Sequence, residues 1–332
     1  MSNRSDALAI GVDVGATKIA AALVQRDGNV LESFQVPTRA EEGSRSVLDR
    51  IGAQINALLR HVAEDSVTPI GIGIGTPGQV NSVRGAVRNA VNLGWEEVSL
   101  VDEVCSRLVS EIPIWIQKDA NASALGEYYF GSARGCEDFV YLGIGSGLGG
   151  GIVTNGMLVT GADWNAAELG HLSLDPNGRQ CNCGSRGCAE TIVSGPGLLT
   201  LVESYLAQGD IPSQLSLDRH LSSRAIISAA QSGDQLALAA LAEVGRHFGM
   251  VMAACVSTLN PGRIIVGGGL GLAAHDILLP AAQAELHRRV LPVSYKNLQI
   301  LPSTLVSSAV GAACLVWYFR DKQNLYQHKE VV

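Results

Sequence analysis

Four times along this chain an apolar run ends in a cluster of glycines: LAIGVDVGATK at 8–18, IGIGIGTPG at 70–78, FVYLGIGSGLGGG at 139–151 and RIIVGGGLG at 263–271. Short β-rich runs stopped by turn residues read as buried strands. Bare backbone at their ends marks places that something must approach closely. Glycine makes up 38 of 332 residues, well above the usual ~7%, and the excess sits at these strand ends. Between the strands, apolar residues recur at helical spacing, beginning with Val47, Leu48, Ile51, Ile55, Leu58, Leu59 and Val62 after Ser44. Strands alternating with helices predict an α/β layer architecture.

The opening reads as a meander over 7–36, with turns at GATK and RDGN, and residues 139–158 repeat its strand–turn–strand plan. A helix is expected from Ser99, with Asp102 completing a capping box, followed by the strand IPIWI at 112–116. Further helices are expected at about 195–208, 234–259 and 275–290, a strand near 298–302, and a last helix from Ser307 to Arg320. The predicted organisation is two similar lobes with a cleft between them: residues 1–118, residues 119–306, and a C-terminal segment 307–332 returning to the first lobe.

Composition removes several classes of function. With 47% hydrophobic residues the chain is not disordered. A net charge of -7 provides no field for binding a nucleic-acid backbone. Asp6 and Asp13 interrupt any secretory signal. The uncharged stretch Phe139–Ala162 is too rich in glycine for a membrane helix. Seven cysteines, three of them within ten residues, suit a metal in a reducing cytosol better than a disulfide frame.

That cluster, His171-x9-Cys181-x-Cys183-x4-Cys188, is the strongest local signal. One imidazole and three thiolates form a closed tetrahedral set for structural zinc, with no position left for reactive water. Such an ion would orient the flanking Glu168 and Glu190. Cys105, Cys136, Cys255 and Cys314 read as buried packing residues. Gly145, Ser146 and Gly147 begin a formal GxGxxG match, but strand-like sequence follows instead of a helix, so a dinucleotide fold is excluded. The loop serves either as a phosphate cradle or as a plain hairpin turn. Asp13, Gly15, Thr17 and Lys18 fit an Mg²⁺–phosphate site or simple turn geometry. Asp119, behind IPIWI, is either a helix N-cap or a general base for an attacking alcohol. Gly267, Gly268 and Gly269 close a strand–helix turn or leave room for a flat ring such as adenine.

In order, the segments DVGATK, GTPG, NLGW, DANASALGE, GIGSGLGGG, AELGH, CNCGSRGCAE, IIVGGGL and SAVGAA resemble the ROK family of repressors, open reading frames and sugar kinases, over roughly 10–315. The resemblance implies an actin-like ATPase fold with two ribonuclease-H-type lobes, and ATP with Mg²⁺ as phosphoryl donor. By position, Asp13, Gly15, Thr17 and Lys18 would form the first phosphate loop, and Gly145, Ser146 and Gly147 the second. Gly267 to Gly269 would form the adenosine loop, and Asp119 would be the catalytic base. Gly75, Lys118, Asp119, Glu168, His171 and Glu190 would meet a hexose or N-acetylhexosamine. His171 would give one ring nitrogen to zinc and the other to the sugar. Three departures stand out: Lys118 where family glucokinases carry asparagine, Ala167 where glycine is usual, and Trp164 where a small residue is common. They predict an altered sugar preference in an active enzyme, since lysine cannot copy an amide's donor–acceptor pairing. A homodimer or homotetramer is implied, with neither nucleic acid nor membrane as partner. The alternative is a regulatory sugar-binding protein without kinase activity.

Overall fold

The computed structural model describes residues 8–63, 68–217 and 221–327. Contacts divide the chain into two compact units. The first comprises Met1–Gly135, Leu158–Ala166 and Thr304–Val332; the second comprises Cys136–Met157 and Ala167–Ser303.

In the first unit, β1 (Leu8–Val14), β2 (Lys18–Gln25) and β3 (Val30–Pro37) form the expected meander, followed by α1 (Ser44–Ala63) and β4 (Ile72–Thr76). Next come β5 (Gln79–Asn81), β6 (Ala86–Ala90), β7 (Trp95–Val98), α2 (Leu100–Cys105), β8 (Ile114–Lys118) and α3 (Asp119–Tyr129). The main sheet has the order β3-β2-β1-β4-β8, with β1, β4 and β8 parallel. The apolar stripe of α1 is buried along its whole length. The small antiparallel sheet β5-β6-β7 was not expected, because strands of three to five residues are too short to show an alternation.

In the second unit, β9 (Phe139–Ile144), β10 (Leu148–Thr154) and β11 (Met157–Leu158) precede α4 (Gly195–Gln208), α5 (Ser223–Gln231) and α6 (Gln235–Leu259). They are followed by β12 (Arg263–Gly267), α7 (Gly269–Ala273), α8 (His275–Arg289), α9 (Pro292–Tyr295) and β13 (Gln299–Pro302). The sheet order is β11-β10-β9-β12-β13, with β9 antiparallel to β10 and parallel to β12. An antiparallel hairpin joined to parallel strands thus occurs in both units, and the expected class, mixed sheets flanked by helices, is what the chain has. Only α6 is long and apolar enough to cross a membrane among the described residues, and it is mostly buried.

The last helix, α10 (Ser308–Gln327), belongs to the first unit and runs past Arg320, where it was expected to end. It lies on β1 and β4 at two glycines. A Cβ on Gly11 would fall 1.9 Å from the Ala309 carbonyl oxygen, and one on Gly73 the same distance from that of Ala312. Any side chain there would push the helix off the sheet.

Four expectations need correction. The contact division falls after Gly135 rather than Lys118, because α3 packs on α10 where Gly126 and Gly311 let the two backbones approach. Ser99 is the N-cap of α2, but its side chain accepts no capping bond; the Val101 amide donates to the Gly85 carbonyl instead. The second glycine turn is only residues 145–147, since Gly149, Gly150 and Gly151 already pair in the β9–β10 ladder. Cys105 is exposed at the end of its short helix and Cys136 is half-buried; only Cys255 and Cys314 are buried packing residues.

Candidate active site

Two carboxylates meet at the strand ends of the first unit. Asp13 is the penultimate residue of β1, and Asp119 opens α3 directly behind β8. A Cβ on Gly75 would lie 3.5 Å from the Asp119 Cα and 3.7 Å from Asp13 Oδ1, so the bare backbone of β4 lets the start of α3 and the Asp13 carboxylate crowd the same point. Burial, with the nearby Asp119 charge adding to it, pushes the Asp13 carboxyl up to about 6; the Ser308 hydrogen bond and Lys18 pull the other way. The Ser308 hydroxyl, at the start of α10, donates to Asp13 Oδ2 at 2.5 Å. Ser308 opens the SAVGAA segment, but nothing in the sequence gave it a role. A half-buried carboxyl held reluctantly charged near a second carboxylate suits a hard divalent cation such as Mg²⁺.

Asp119 is exposed and is the first helical residue of α3; Lys118 holds the cap position and its side chain makes no capping bond. The Asp119 Oδ1 accepts from the Ala120 amide at 2.7 Å. A carboxylate here also sits favourably at the positive end of a helix. The Gly15–Lys18 turn closes through Gly15 N–H to the Lys18 carbonyl at 2.9 Å. Buried Thr38 ties this turn down, its hydroxyl donating to the Gly15 carbonyl at 2.6 Å. Thr17 and Lys18 are exposed, with Lys18 Nζ donating to Gln35 Oε1 at 3.2 Å.

Lys118 does not lie open to solvent. It is 6% exposed, and its ammonium donates to the Ala166 carbonyl at 2.6 Å. The chain then passes from the first unit to the second between Ala166 and Ala167. Both flanking departures from the family pattern adopt left-handed backbone, Trp164 at φ 59 and Ala167 at φ 64. A glycine would sit at either position without strain. On β10, a Cβ at Gly150 would strike Leu169 Cδ1 at 2.7 Å and the Ala167 carbonyl at 2.8 Å, so this segment lies flat on the strand. Exposed Glu168 follows, its carbonyl accepting from the His171 amide at 3.0 Å.

The four predicted metal ligands come together. His171, Cys181, Cys183 and Cys188 place one ligand atom each within 4.8 Å of all the others. His171 Nδ1 is 3.8 Å from Cys181 Sγ, and Cys183 Sγ is 3.6 Å from Cys188 Sγ. A tetrahedron of ~2.3 Å Zn–S and ~2.0 Å Zn–N bonds has edges of about 3.5–3.8 Å, so the set fits zinc. Burial and the neighbouring sulfurs push the Cys188 thiol up to about 12, so a cation would have to displace its proton on binding. With Nδ1 turned to the cluster, the His171 Nε2 is the nitrogen left to point elsewhere. Glu190, two residues after Cys188, accepts from the Leu148 amide at 2.8 Å and occupies the space a Cβ on Gly147 would need. Glu190 therefore braces the second glycine loop, a contact the sequence did not suggest.

The three glycines at the end of β12 have two different reasons. A Cβ on Gly267 would meet the Tyr141 hydroxyl at 2.4 Å, and one on Gly268, at φ 77, the Ile144 carbonyl oxygen at 2.3 Å; both serve packing on β9. At Gly269 an added Cβ would meet nothing within 4 Å. Gly269 lines a cavity of about 560 Å³ inside the second unit, together with Gly145, Ser146, the start of α4 and one side of α5. That volume lies within the range of small-molecule and cofactor sites. The Gly145 amide donates to the Gly147 carbonyl at 2.9 Å, so it closes the turn. No motif marked α5, although its N-cap Ser222 and the buried Ile226, Ile227 and Ala230 are legible in retrospect.

Residues 9–318 match the model of the ROK family. A glucokinase of Halalkalibacterium halodurans is 33% identical over 325 residues, 96% of this chain and 97% of that protein. Among solved structures, a ROK family glucokinase from Streptomyces griseus in complex with glucose and AMPPNP has a TM-score of 0.78 at 33% identity, covering 93% of this chain and 98% of its own. A ROK family transcriptional regulator, a homologue of the E. coli MLC protein, has a TM-score of 0.84 at 28% identity, covering 95% and 78%. With the paired carboxylates, both glycine loops and the four-ligand cluster in place, this chain belongs to the ROK family.

Proposed function

We propose that this protein is a cytoplasmic sugar kinase that transfers the terminal phosphoryl group of ATP to a hydroxyl of a hexose or N-acetylhexosamine, with Asp119 as general base. The observation that carries the reading is the approach of exposed Asp119 and half-buried Asp13 around Gly75. One carboxylate is open to an alcohol, and the other suits the cation of a nucleotide. Magnesium-bound ATP supplies the electrophilic phosphorus and the leaving diphosphate. Asp119 takes the hydroxyl proton as the new oxygen–phosphorus bond forms and the bond to the diphosphate breaks. Lys18 and the glycine turns donate to phosphate oxygens. Glu168, His171 through Nε2, and Glu190 hold sugar hydroxyls, while zinc fixes the loop that carries them. Lys118, through Ala166, shapes the acceptor side and shifts preference away from glucose.

The test is ADP release with a panel of hexoses and N-acetylhexosamines. Asp119→Asn should lower kcat by about 10²–10⁴-fold, the usual worth of a general base, while sugar binding by calorimetry stays within a few-fold. Near-full turnover in that variant would remove Asp119 from the role. A second reading, a regulator without kinase activity, is favoured by the likeness to the MLC homologue; sugar binding with no ADP release from any acceptor would establish it.

A further inference from the structure

We propose that α5, which no motif marks, chooses the nucleotide: Gln231 reads the base as adenine, and Arg224 holds the phosphate end. This rests on the kinase reading above and deepens it. Arg224, Ile227, Ser228 and Gln231 all line the cavity and follow each other at i, i+3, i+4 and i+7, so one face of the helix forms the wall. Its direction is fixed by its start. A Cβ on Gly195 would lie 3.0 Å from Ser223 Oγ and 3.3 Å from the Gly145 carbonyl oxygen, while the Gly195 amide donates to that same carbonyl at 2.8 Å. The N-terminal end of α5 therefore abuts the second glycine turn, where phosphate is expected. Gln231 lies seven residues beyond Arg224, about 10 Å along the axis at 1.5 Å per residue.

The chemistry follows that polarity. Arg224 brings a planar fork of donors suited to phosphate oxygens. Between the ends, buried Ile227 and Leu270, with Ala273, offer an apolar slot for a flat ring. Gln231 has a carbonyl acceptor and an amide donor side by side, which match the N6 amine and N7 of adenine. Guanine offers two acceptors on that edge, so Gln231 would leave one of its own groups unmatched.

The experiment is calorimetric titration of the purified protein with ADP, GDP and adenosine, with no sugar and no turnover. The wild type should prefer ADP to GDP by tenfold or more. Gln231→Leu should erase most of that preference. Gln231→Arg, which offers only donors, should swing it toward GDP by about tenfold, since a guanidinium pairs with both guanine O6 and N7; a merely structural role would not produce this swing. Arg224→Ala should weaken ADP several-fold and leave adenosine unchanged. If the wild type binds ADP but both Gln231 variants keep its ADP-to-GDP ratio, the assignment of the base edge is wrong while the kinase reading stands. If the wild type binds no nucleotide, both fall.

Discussion

Ala167 sits at φ 64, a left-handed conformation in which a Cβ crowds the following carbonyl. The departure from family glycine is visible in sequence, but its meaning is not, because a φ angle is not written in residue type. Left-handed backbone costs alanine ~1–2 kcal/mol, and glycine loses ~0.4–1 kcal/mol through its freer unfolded chain. Ala167→Gly should therefore raise stability by roughly 0.5–1 kcal/mol, read from denaturant midpoints at constant m. Asp13 makes a sharper case. Its folded carboxyl is raised to about 6 from an ordinary 3.8, so its contribution to stability is intact below pH 4 and is lost as pH rises through 6. Two units correspond to on the order of 3 kcal/mol. Without nucleotide or Mg²⁺, Asp13→Asn should be more stable than wild type by up to that amount at pH 8 and equal to it at pH 4. It should also lose activity at least a hundredfold. An unchanged pH dependence of melting would show that Asp13 is not the strained group.

At the level of elements, α10 does the positioning. Its first residue holds Asp13, its glycine at 311 seats α3, the helix that begins at Asp119, and Ala309 and Ala312 lie over Gly11 and Gly73. The sequence predicted this helix from its apolar content. That it reaches Asp13 and the helix behind Asp119 could not be read, since the contacts join residues about 190 to 300 positions apart. The loop 171–190 is the opposite case. Its ligands lie close together along the chain, so their spacing alone makes the cluster legible. Elemental analysis should find about one zinc per chain. Stripping the metal with a chelator should make three further thiols, Cys181, Cys183 and Cys188, reactive, while buried Cys255 and Cys314 stay silent. The same number of reactive thiols with and without chelator would exclude a zinc-bound set.

Across the whole molecule, one hairpin-plus-parallel-strand plan appears in each unit, and the ligand sets differ. The first unit carries the paired carboxylates and Lys118; the second carries the cavity, the His–Cys cluster and Glu168. ADP alone should accordingly slow amide hydrogen exchange at residues 145–147 and at the starts of α4 and α5 by tenfold or more, with α1 and β3 unchanged. Protection confined to the first unit would contradict the assignment of the nucleotide to this cavity.

The strands of the two main sheets, most helices, the glycine turns and the His–Cys cluster followed from the sequence alone, because each rests on periodicity or spacing within a few dozen residues. The tertiary structure decided which glycines are bare for packing and which for a ligand, that Lys118 is buried against Ala166, that Glu190 braces a loop, and that α5 walls a cavity. Those outcomes depend on which distant backbone or side chain lies within a few ångströms, and local sequence does not encode that distance.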